Sequence, residues 1–520
     1  MSFDSFLTRR GFSHDPFATT NAEQEDRLAD YFVPPPYFES VLGNPATPKS
    51  NVIFAPRGSG KTAQRLMIER TSLQMDSRFL CLTYDNFESA TAKGATLAAH
   101  QIELCRLLTL GVLTHLEDDT IPAIFLTDHE RQIIKVAGQS FLSGLSAGEF
   151  QEAMKAVKTL GDKAGEFWKK YGGVVAIGVA LLMKKVGLDD VDISASLEQQ
   201  ASDKSSASAR YFLEQLLAVA AKLGWDSVYF LIDKVDETPA TTMDADAAYK
   251  LIAQLVLDLP TIELPGAAFK FFFWDRMESG LRGSGLRADR MEVVKLRWTV
   301  NELSDMLGKR LGAYSNGTVT SFNQLLSSMI DYDVQLLLAH LSHGSPRDAI
   351  RMARAIVAEH TRMGDEPDSI SWRTVMRGIL NFSKEVTSER YPQLITDFSR
   401  VAAPSFTLKK IASGVFKISA PGANNKVQGW MNAGAVRQLG TQPNPGKKPL
   451  NLYGFVDLRT VLSSTPIGDV QDVLEESEWE CPACRELIVV GEAEFDCPEC
   501  GESVQTSGAR NLLEVCALNS

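Results

Sequence analysis

The sequence predicts an α/β fold: a parallel sheet covered by helices, carrying a helical insertion and followed by smaller domains. Three observations carry that expectation. A glycine-rich loop, residues 55–62 (Ala-Pro-Arg-Gly-Ser-Gly-Lys-Thr), stands between an apolar strand at 51–54 and a helical run at 63–69. A continuous apolar run at 228–232 ends abruptly in Asp233, as a buried parallel strand with a functional carboxylate at its tip would. Further strand signals at 79–83, 269–273 and 293–296 alternate with helical stretches, the pattern of crossover connections in a parallel sheet.

The loop is a P-loop in pattern, with Ala55 in the place of the first glycine. Glycines let successive backbone N–H groups turn inward around phosphate oxygens, and the following helix start adds partial positive charge. Ala55, Pro56, Arg57, Gly58, Ser59, Gly60, Lys61 and Thr62 are therefore the expected nucleotide-binding residues. Lys61 would reach the β- and γ-phosphates, and the Thr62 hydroxyl would ligate Mg²⁺. Asp233 would hold the same Mg²⁺ from the opposite side, directly or through water. Asp236 and Glu237, just beyond it, are alternative candidates to activate the attacking water; the longer stem favours Glu237.

The whole chain has 520 residues, 44% hydrophobic and 23% charged, with a net charge of −12. Such a chain is long enough for several domains, and its overall charge does not invite nucleic acid, so any such contact must come from a local patch. The seven cysteines do not read as a secreted disulfide framework, and residues 1–10 lack the apolar core of a signal peptide. A reducing cytoplasm is the expected setting. The apolar run at 172–183 is flanked by lysines but has only twelve residues, against about 20 needed to span a bilayer, so membrane association is not expected.

Taken in order, residues 1–50 form a proline-punctuated lead-in and 51–300 the P-loop core, with a helical insertion at about 91–215. Residues 301–385 form a helical lid, 386–465 a basic domain and 470–520 a cysteine module. Ser345-Pro346-Arg347-Asp348 fits a helix start within the lid. The seven histidines are dispersed and make no metal-ligand spacing.

Cys481-Pro-Ala-Cys484 and Cys497-Pro-Glu-Cys500 stand twelve residues apart. Two such knuckles, with a hairpin expected between them at 487–492, predict a zinc ribbon: four thiolates leave no open coordination position, so the site is structural. Iron is the alternative metal. The ribbon is acidic, with Arg485 its one basic residue between 469 and 502, and is expected to repel DNA and to contact a protein effector or a second copy of the chain.

Together, the P-loop, the third strand ending Asp-x-x-Asp-Glu, the apolar fourth strand and Gly344-Ser345-Pro346-Arg347 resemble the AAA+/STAND group of P-loop ATPases, closest to the origin-recognition type and its bacterial relatives. The resemblance spans roughly residues 30–460. It implies ATP as the nucleotide and a winged-helix domain after the lid. It implies Arg347 as the sensor-2 arginine that reaches the γ-phosphate, and Arg290, with Arg287 and Arg282 as alternatives, as an arginine acting in trans on a neighbouring subunit. Two positions depart from the family. The fourth strand ends Trp274-Asp275-Arg276 where a small polar sensor-1 residue is usual, and Lys234 stands where many members carry the catalytic glutamate.

Within residues 400–460 nine Lys or Arg face a single acid, Asp457. A recognition helix is expected over 426–437, a wing tip at 443–448 and a returning strand at 450–456. A basic patch in an acidic chain is the footprint of phosphate-backbone binding, so double-stranded DNA is one expected partner. The functional expectation is a Mg²⁺-dependent ATPase working as a nucleotide-gated DNA-binding switch, in genome maintenance or anti-phage defence. The alternatives are an ATP-controlled scaffold recruiting a protein effector, homo-oligomeric or otherwise, and a membrane-associated NTPase of the KAP kind.

Overall fold

The computed structural model describes residues 2–74, 76–116, 126–157, 175–242, 244–363, 368–444 and 446–518. The chain divides into two compact units, Pro34–Arg297 and the pair of segments Met1–Val33 with Trp298–Ser520.

In the first unit the five expected apolar runs are strands: β1 (Asn51–Ala55), β2 (Phe79–Tyr84), β3 (Ser227–Ile232), β4 (Ala267–Trp274) and β5 (Glu292–Lys295). They form one sheet in the order β2-β3-β4-β1-β5 with every neighbouring pair parallel. All residues of β1 to β4 are buried, which is why these strands read as unbroken apolar runs. Phenylalanines fill the centre; Phe230 and Phe269 stack at 5.1 Å between ring centroids. Helix α1 (Lys61–Ser72) follows β1 directly. The insertion contributes a series of helices, of which α2 (Leu97–Leu116) and α3 (Ser206–Lys222) pack on each other and on the sheet's main apolar cluster. Of the apolar run at 172–183, residues 172–174 lie outside the described residues; the remainder falls in an 11-residue helix, Val175–Lys185. Among the described residues no helix is long and apolar enough to cross a membrane.

The second unit contains helices α4 (Val300–Tyr314), α5 (Val334–Leu341), α6 (Pro346–Met363) and α7 (Trp372–Arg390). Its N-terminal segment is anchored by Arg310 of α4, which is buried and donates to Tyr31 Oη at 2.6 Å, to the Thr19 carbonyl at 3.0 Å and to Glu25 at 2.5 Å. A three-stranded antiparallel sheet follows, β6 (Ser405–Thr407), β7 (Val436–Gln442) and β8 (Leu450–Phe455) in the order β6-β8-β7, with helix α8 (Ala420–Asn432) before β7. This is the winged-helix-like arrangement. The helix lies earlier than expected: Ser419 caps it, Pro421 sits in its first turn, and Gly434 at φ +73° turns the chain out of it, so Arg437 belongs to β7.

The ribbon also pairs differently from the expectation. Leu487–Val489 pairs with Glu478–Glu480, not with the strand after residue 492, and Glu494–Asp496 pairs with Ser503–Gln505. Each Cys-Pro-x-Cys knuckle is itself a hairpin turn. The Cys481 and Cys497 amides donate to the Glu486 and Glu502 carbonyls at 2.8 and 2.7 Å, and Arg485 (φ +65°) and Gly501 (φ +78°) supply the left-handed residue each turn needs.

Lys270 is fully buried in β4, its ammonium held by the Lys49 carbonyl at 2.6 Å and Asn51 Oδ1 at 2.7 Å. Burial pulls its pKa down to about 7, against smaller opposing effects of Glu292 and Cys81. An unfolded lysine titrates near 10.4, so between these values the unfolded chain binds more protons and the contribution of Lys270 to stability rises with pH. Urea unfolding of wild type and K270M at pH 7 and pH 9 should show the difference moving in favour of wild type by on the order of 2 kcal/mol. A pH-independent difference would contradict the burial of this amine.

Candidate functional site

The candidate site lies at the C-terminal ends of β1, β3 and β4. After β1 the chain turns through Gly58 (φ +79°) and Gly60 (φ +92°), values a side chain would strain, and Gly60 is the residue from which α1 starts. Ser59 Oγ donates to the Pro56 carbonyl at 2.6 Å. Lys61 Nζ folds back to the Ala55 and Pro56 carbonyls at 3.3 and 3.2 Å. Burial lowers the pKa of this amine, while Asp236, Asp233, Asp275 and Glu237 pull it the other way. The loop thus holds a cation, ringed by four acids, over a helix start whose first amides lack intrahelical acceptors, which fits a polyphosphate.

Asp233, 1% exposed, directly follows β3. Its Oδ2 accepts from Thr62 Oγ1 at 2.9 Å and Arg65 Nε at 3.0 Å, and its Oδ1 from the Lys234 amide at 2.9 Å. Arg65 is fully buried and also paired with Glu69, whose carboxylate accepts from Thr83 Oγ1 at 2.5 Å. A hydroxyl and a carboxylate in contact are hard oxygen donors suited to Mg²⁺, so the chemistry of the pair fits that ion.

Asp236 is buried and already engaged: Arg57 Nε reaches its Oδ2 at 2.8 Å and Arg57 Nη2 its carbonyl at 2.7 Å. Glu237 is exposed as a residue, with its carboxyl partly withdrawn from solvent. That withdrawal, followed by the charges of Asp233 and Asp236, raises its pKa, while Lys234 and Lys61 lower it. Of the two acids, Glu237 is the one whose carboxyl is not clamped by Arg57.

One expected arginine stands apart from this cluster. Arg290 precedes β5, at the N-terminal end of the sheet, and pairs with Glu263 at 2.8 and 3.1 Å. The register Asn51↔Glu292 puts it a strand length, about 13 Å, from the loop. Its alternatives are also paired, Arg287 with Asp289 and Arg282 with Glu278. Arg347 belongs to the second unit, exposed in the first turn of α6, where Ser345 Oγ accepts from the Asp348 amide at 3.2 Å. Its neighbour Asp348 is buried, bonded to Arg390 at 2.6 Å and Arg459 at 2.8 Å, and Arg459 in turn pairs with Asp457. The structure adds Arg57 and Arg65, to which the motifs alone give no role beyond the loop. Arg65 is legible in retrospect: it lies three residues after Thr62, hence on the same helix face.

The four cysteines converge. Cys481 and Cys500 Sγ are 3.7 Å apart, Cys484 and Cys497 Sγ 3.6 Å, and all four sulfurs lie within 4.8 Å of one another. Tetrahedral Zn–S bonds of about 2.3 Å place sulfurs about 3.8 Å apart, so the cluster fits zinc. The ribbon does not stand alone. Leu439 of β7 and Leu452 of β8 share one apolar cluster with Ile488, Val490, Phe495 and Val504.

The basic domain separates its cations. Lys409, Lys410, Lys417, Lys447 and Lys448 are exposed. Lys426 pairs with Asp397 at 2.6 Å, Arg437 with Glu499 at 3.2 Å, Arg400 lies over the Phe416 ring, and Arg459 is fully buried.

Loop, strand order and the Thr62–Asp233 pair define a P-loop NTPase core. Residues 15–73, which include the whole loop, match the family model described as ORC-CDC6-like. Over that segment the chain is origin-recognition-like, and the resemblance to that branch of the AAA+ ATPases is borne out. Similar solved structures include the Aeropyrum pernix ORC1 protein in complex with DNA, at 14% identity over 87% of this chain and 96% of that one, TM-score 0.32. Another is the Aeropyrum pernix ORC2 protein in ADPNP and ADP complexes, at 11% identity over 86% and 96%, TM-score 0.39. At these scores neither adds to the assignment. No curated protein matches.

Because Leu439 and Leu452 are covered by the ribbon, metal loss should reach beyond it. Chelation, or Cys497→Ser, should lower the melting temperature and raise binding of an apolar dye, and protease should cut within 478–518 first. An unchanged melting curve after verified metal removal would contradict a structural metal.

Proposed function

We propose that this chain is a Mg²⁺-dependent ATPase whose nucleotide state governs contact with duplex DNA through the basic winged-helix-like domain. The observation that carries the enzymatic half is the convergence of Lys61, Thr62, Asp233 and Glu237 at one end of the sheet. The loop amides and Lys61 bind the phosphates of ATP, and Thr62 with Asp233 holds the metal. Bound there, Mg²⁺ would supply positive charge to offset that of the phosphates. Glu237 receives the proton of the attacking water as ADP and phosphate separate. Its raised pKa suits that task better than an ordinary surface carboxylate would. Asp236, held by Arg57, serves as a fixed charge.

Arg347, the sensor-2 candidate, opens α6, whose first turn is tied by Asp348 to Arg390 of α7 and to Arg459 beside the winged-helix-like sheet. Arg290, turned to the far end of its own sheet, serves a neighbouring subunit in a homo-oligomer. The exposed lysines 409, 410, 417, 447 and 448 supply the phosphate contacts to DNA. A role in genome maintenance or in defence against phage follows from a nucleotide-gated DNA switch. An effector protein, where one exists, uses ribbon surface that the wing leaves open.

Lys61→Ala should abolish nucleotide binding or turnover. Glu237→Gln should keep ATP binding and lose turnover by about a hundredfold or more. Full activity in either variant would overturn the assignment of that residue. Duplex DNA should stimulate wild-type turnover, and Lys447→Glu/Lys448→Glu should weaken DNA binding without sequence preference while reducing its salt slope by about 2. Wild-type DNA affinity in that double variant would remove the wing from the interface.

A further inference from the structure

The fourth strand ends in a tryptophan where the resemblance implies a small polar residue, and the structure gives that tryptophan a partner. Trp274 is 6% exposed at the end of β4. The Arg57 guanidinium lies over its ring at 4.3 Å and the Arg276 guanidinium at 5.2 Å. Arg57 belongs to the phosphate loop itself, and the same guanidinium holds Asp236 through both its carboxylate and its carbonyl. One side chain therefore joins the ends of β1, β3 and β4, the three segments that make up the site.

A planar guanidinium is suited to this: its face stacks on an aromatic ring while its edge presents a fork to an acceptor. Lysine has neither the plane nor the fork. We propose that Arg57 is a positioning residue for hydrolysis: through Asp236 and Trp274 it fixes the loop against the segment that bears Glu237, in the place the family gives to sensor 1. The inference rests on the ATPase reading above. Its consequence is electrostatic as well as geometric. The groups facing Glu237 are Asp233, Asp236 and Lys234 on its own segment and Lys61 on the loop, with Asp275 at the end of β4 also facing Lys61. Arg57 is the counter-ion of Asp236, so it shields Glu237 from one of its two repelling neighbours.

The test compares wild type with Arg57→Lys, Arg57→Gln, Asp236→Asn and the double variant Arg57→Gln/Asp236→Asn. ATP KM, kcat and the pH profile of kcat are measured, with thermal unfolding as the check on folding. In Arg57→Lys and Arg57→Gln, kcat should fall about tenfold or more while KM changes less than about threefold. In Arg57→Gln the unshielded Asp236 should move the acid limb of kcat upward by about half a pH unit or more. Asp236→Asn removes the repelling charge and leaves the Arg57 cation, so the limb should move downward, and the double variant, which lacks both charges of the pair, should return close to wild type. Opposite shifts from two changes in one ion pair do not follow from a loss of packing alone. Wild-type kcat in Arg57→Lys, or acid limbs that do not move apart, would overturn the inference while the ATPase reading stands. An Arg57→Gln variant that fails to fold leaves Arg57→Lys, which keeps the charge and most of the volume, to decide the kcat question. Absence of turnover in wild type that binds ATP would overturn the reading and the inference with it, and Lys61→Ala distinguishes that case.

Discussion

The site depends on one buried carboxylate. Asp233 is expensive to bury, and it is tolerated because it receives three donors: the Thr62 hydroxyl, the Arg65 guanidinium and the Lys234 amide. Arg65 cannot be buried alone either, and Glu69 completes its environment. Two carboxylates against one guanidinium leave an excess of one negative charge beneath the loop. That excess is what a lysine ammonium and a divalent cation above it would offset. Truncating Arg65 would leave Asp233 and Glu69 buried without their counter-ion, a loss of about 3–5 kcal/mol by the usual cost of such orphans. The same contact fixes α1 to β3 across the intervening strand, so the phosphate loop and the acid-bearing loop are positioned together.

Strand order accounts for the need for that bridge. β4 lies between β1 and β3, so the loop and Asp233 belong to strands that never touch along their ladders. Side chains beyond the strand ends must connect them. Arg65 does so from α1, with Nε on Asp233 and a second donor on Glu69, and Arg57 from the loop, with Nε on the Asp236 carboxylate and Nη2 on the Asp236 carbonyl. The bulk of Trp274 at the end of the middle strand is consistent with this. It supplies the flat surface on which Arg57 can lie while reaching Asp236.

Much of the core is legible in the sequence because parallel strands are buried on both faces and show it as apolar runs. The loop is legible because glycine, lysine and threonine at this spacing, between a strand and a helix, serve phosphate binding and little else. Ala55, Gly58, Gly60, Lys61, Thr62 and Asp233 need no tertiary information. Arg57 and Arg65 are harder to read, since an arginine in a loop or helix is ordinarily exposed and only the distant Asp236 and Asp233 make these two buried or stacked. The start of α8 escapes a periodicity argument because the amide-rich text of 420–432 has weak periodicity; its proline and terminating glycine are the better signals. Arg459 adds to the basic count of 400–460, yet it is buried against Asp457 and Asp348. Composition counts charge without knowing which side of the surface it lies on.

The ribbon is the element whose meaning the fold changes most. Read from its cysteines and acids, it is a small module tethered to the end of the chain. In the structure, one face of the β7–β8 sheet gives Leu439 and Leu452 to the ribbon's apolar cluster. Gly454, in β8, lies where a Cβ would come within 2.8 Å of the Val489 carbonyl, and a Cβ on Gly440 would collide with the Asp496 carboxylate, so bare backbone is required for the approach. Such closeness is the packing of a shared core rather than of a tag. Its acids are partly used inward as well, Glu499 on Arg437 and Glu492 on Gln442 at 3.0 Å. The acidic character that sets the ribbon apart in the sequence thus also seats it on the most basic part of the chain. The wing sheet has one face for its helices and the other for the cysteine ribbon that covers it.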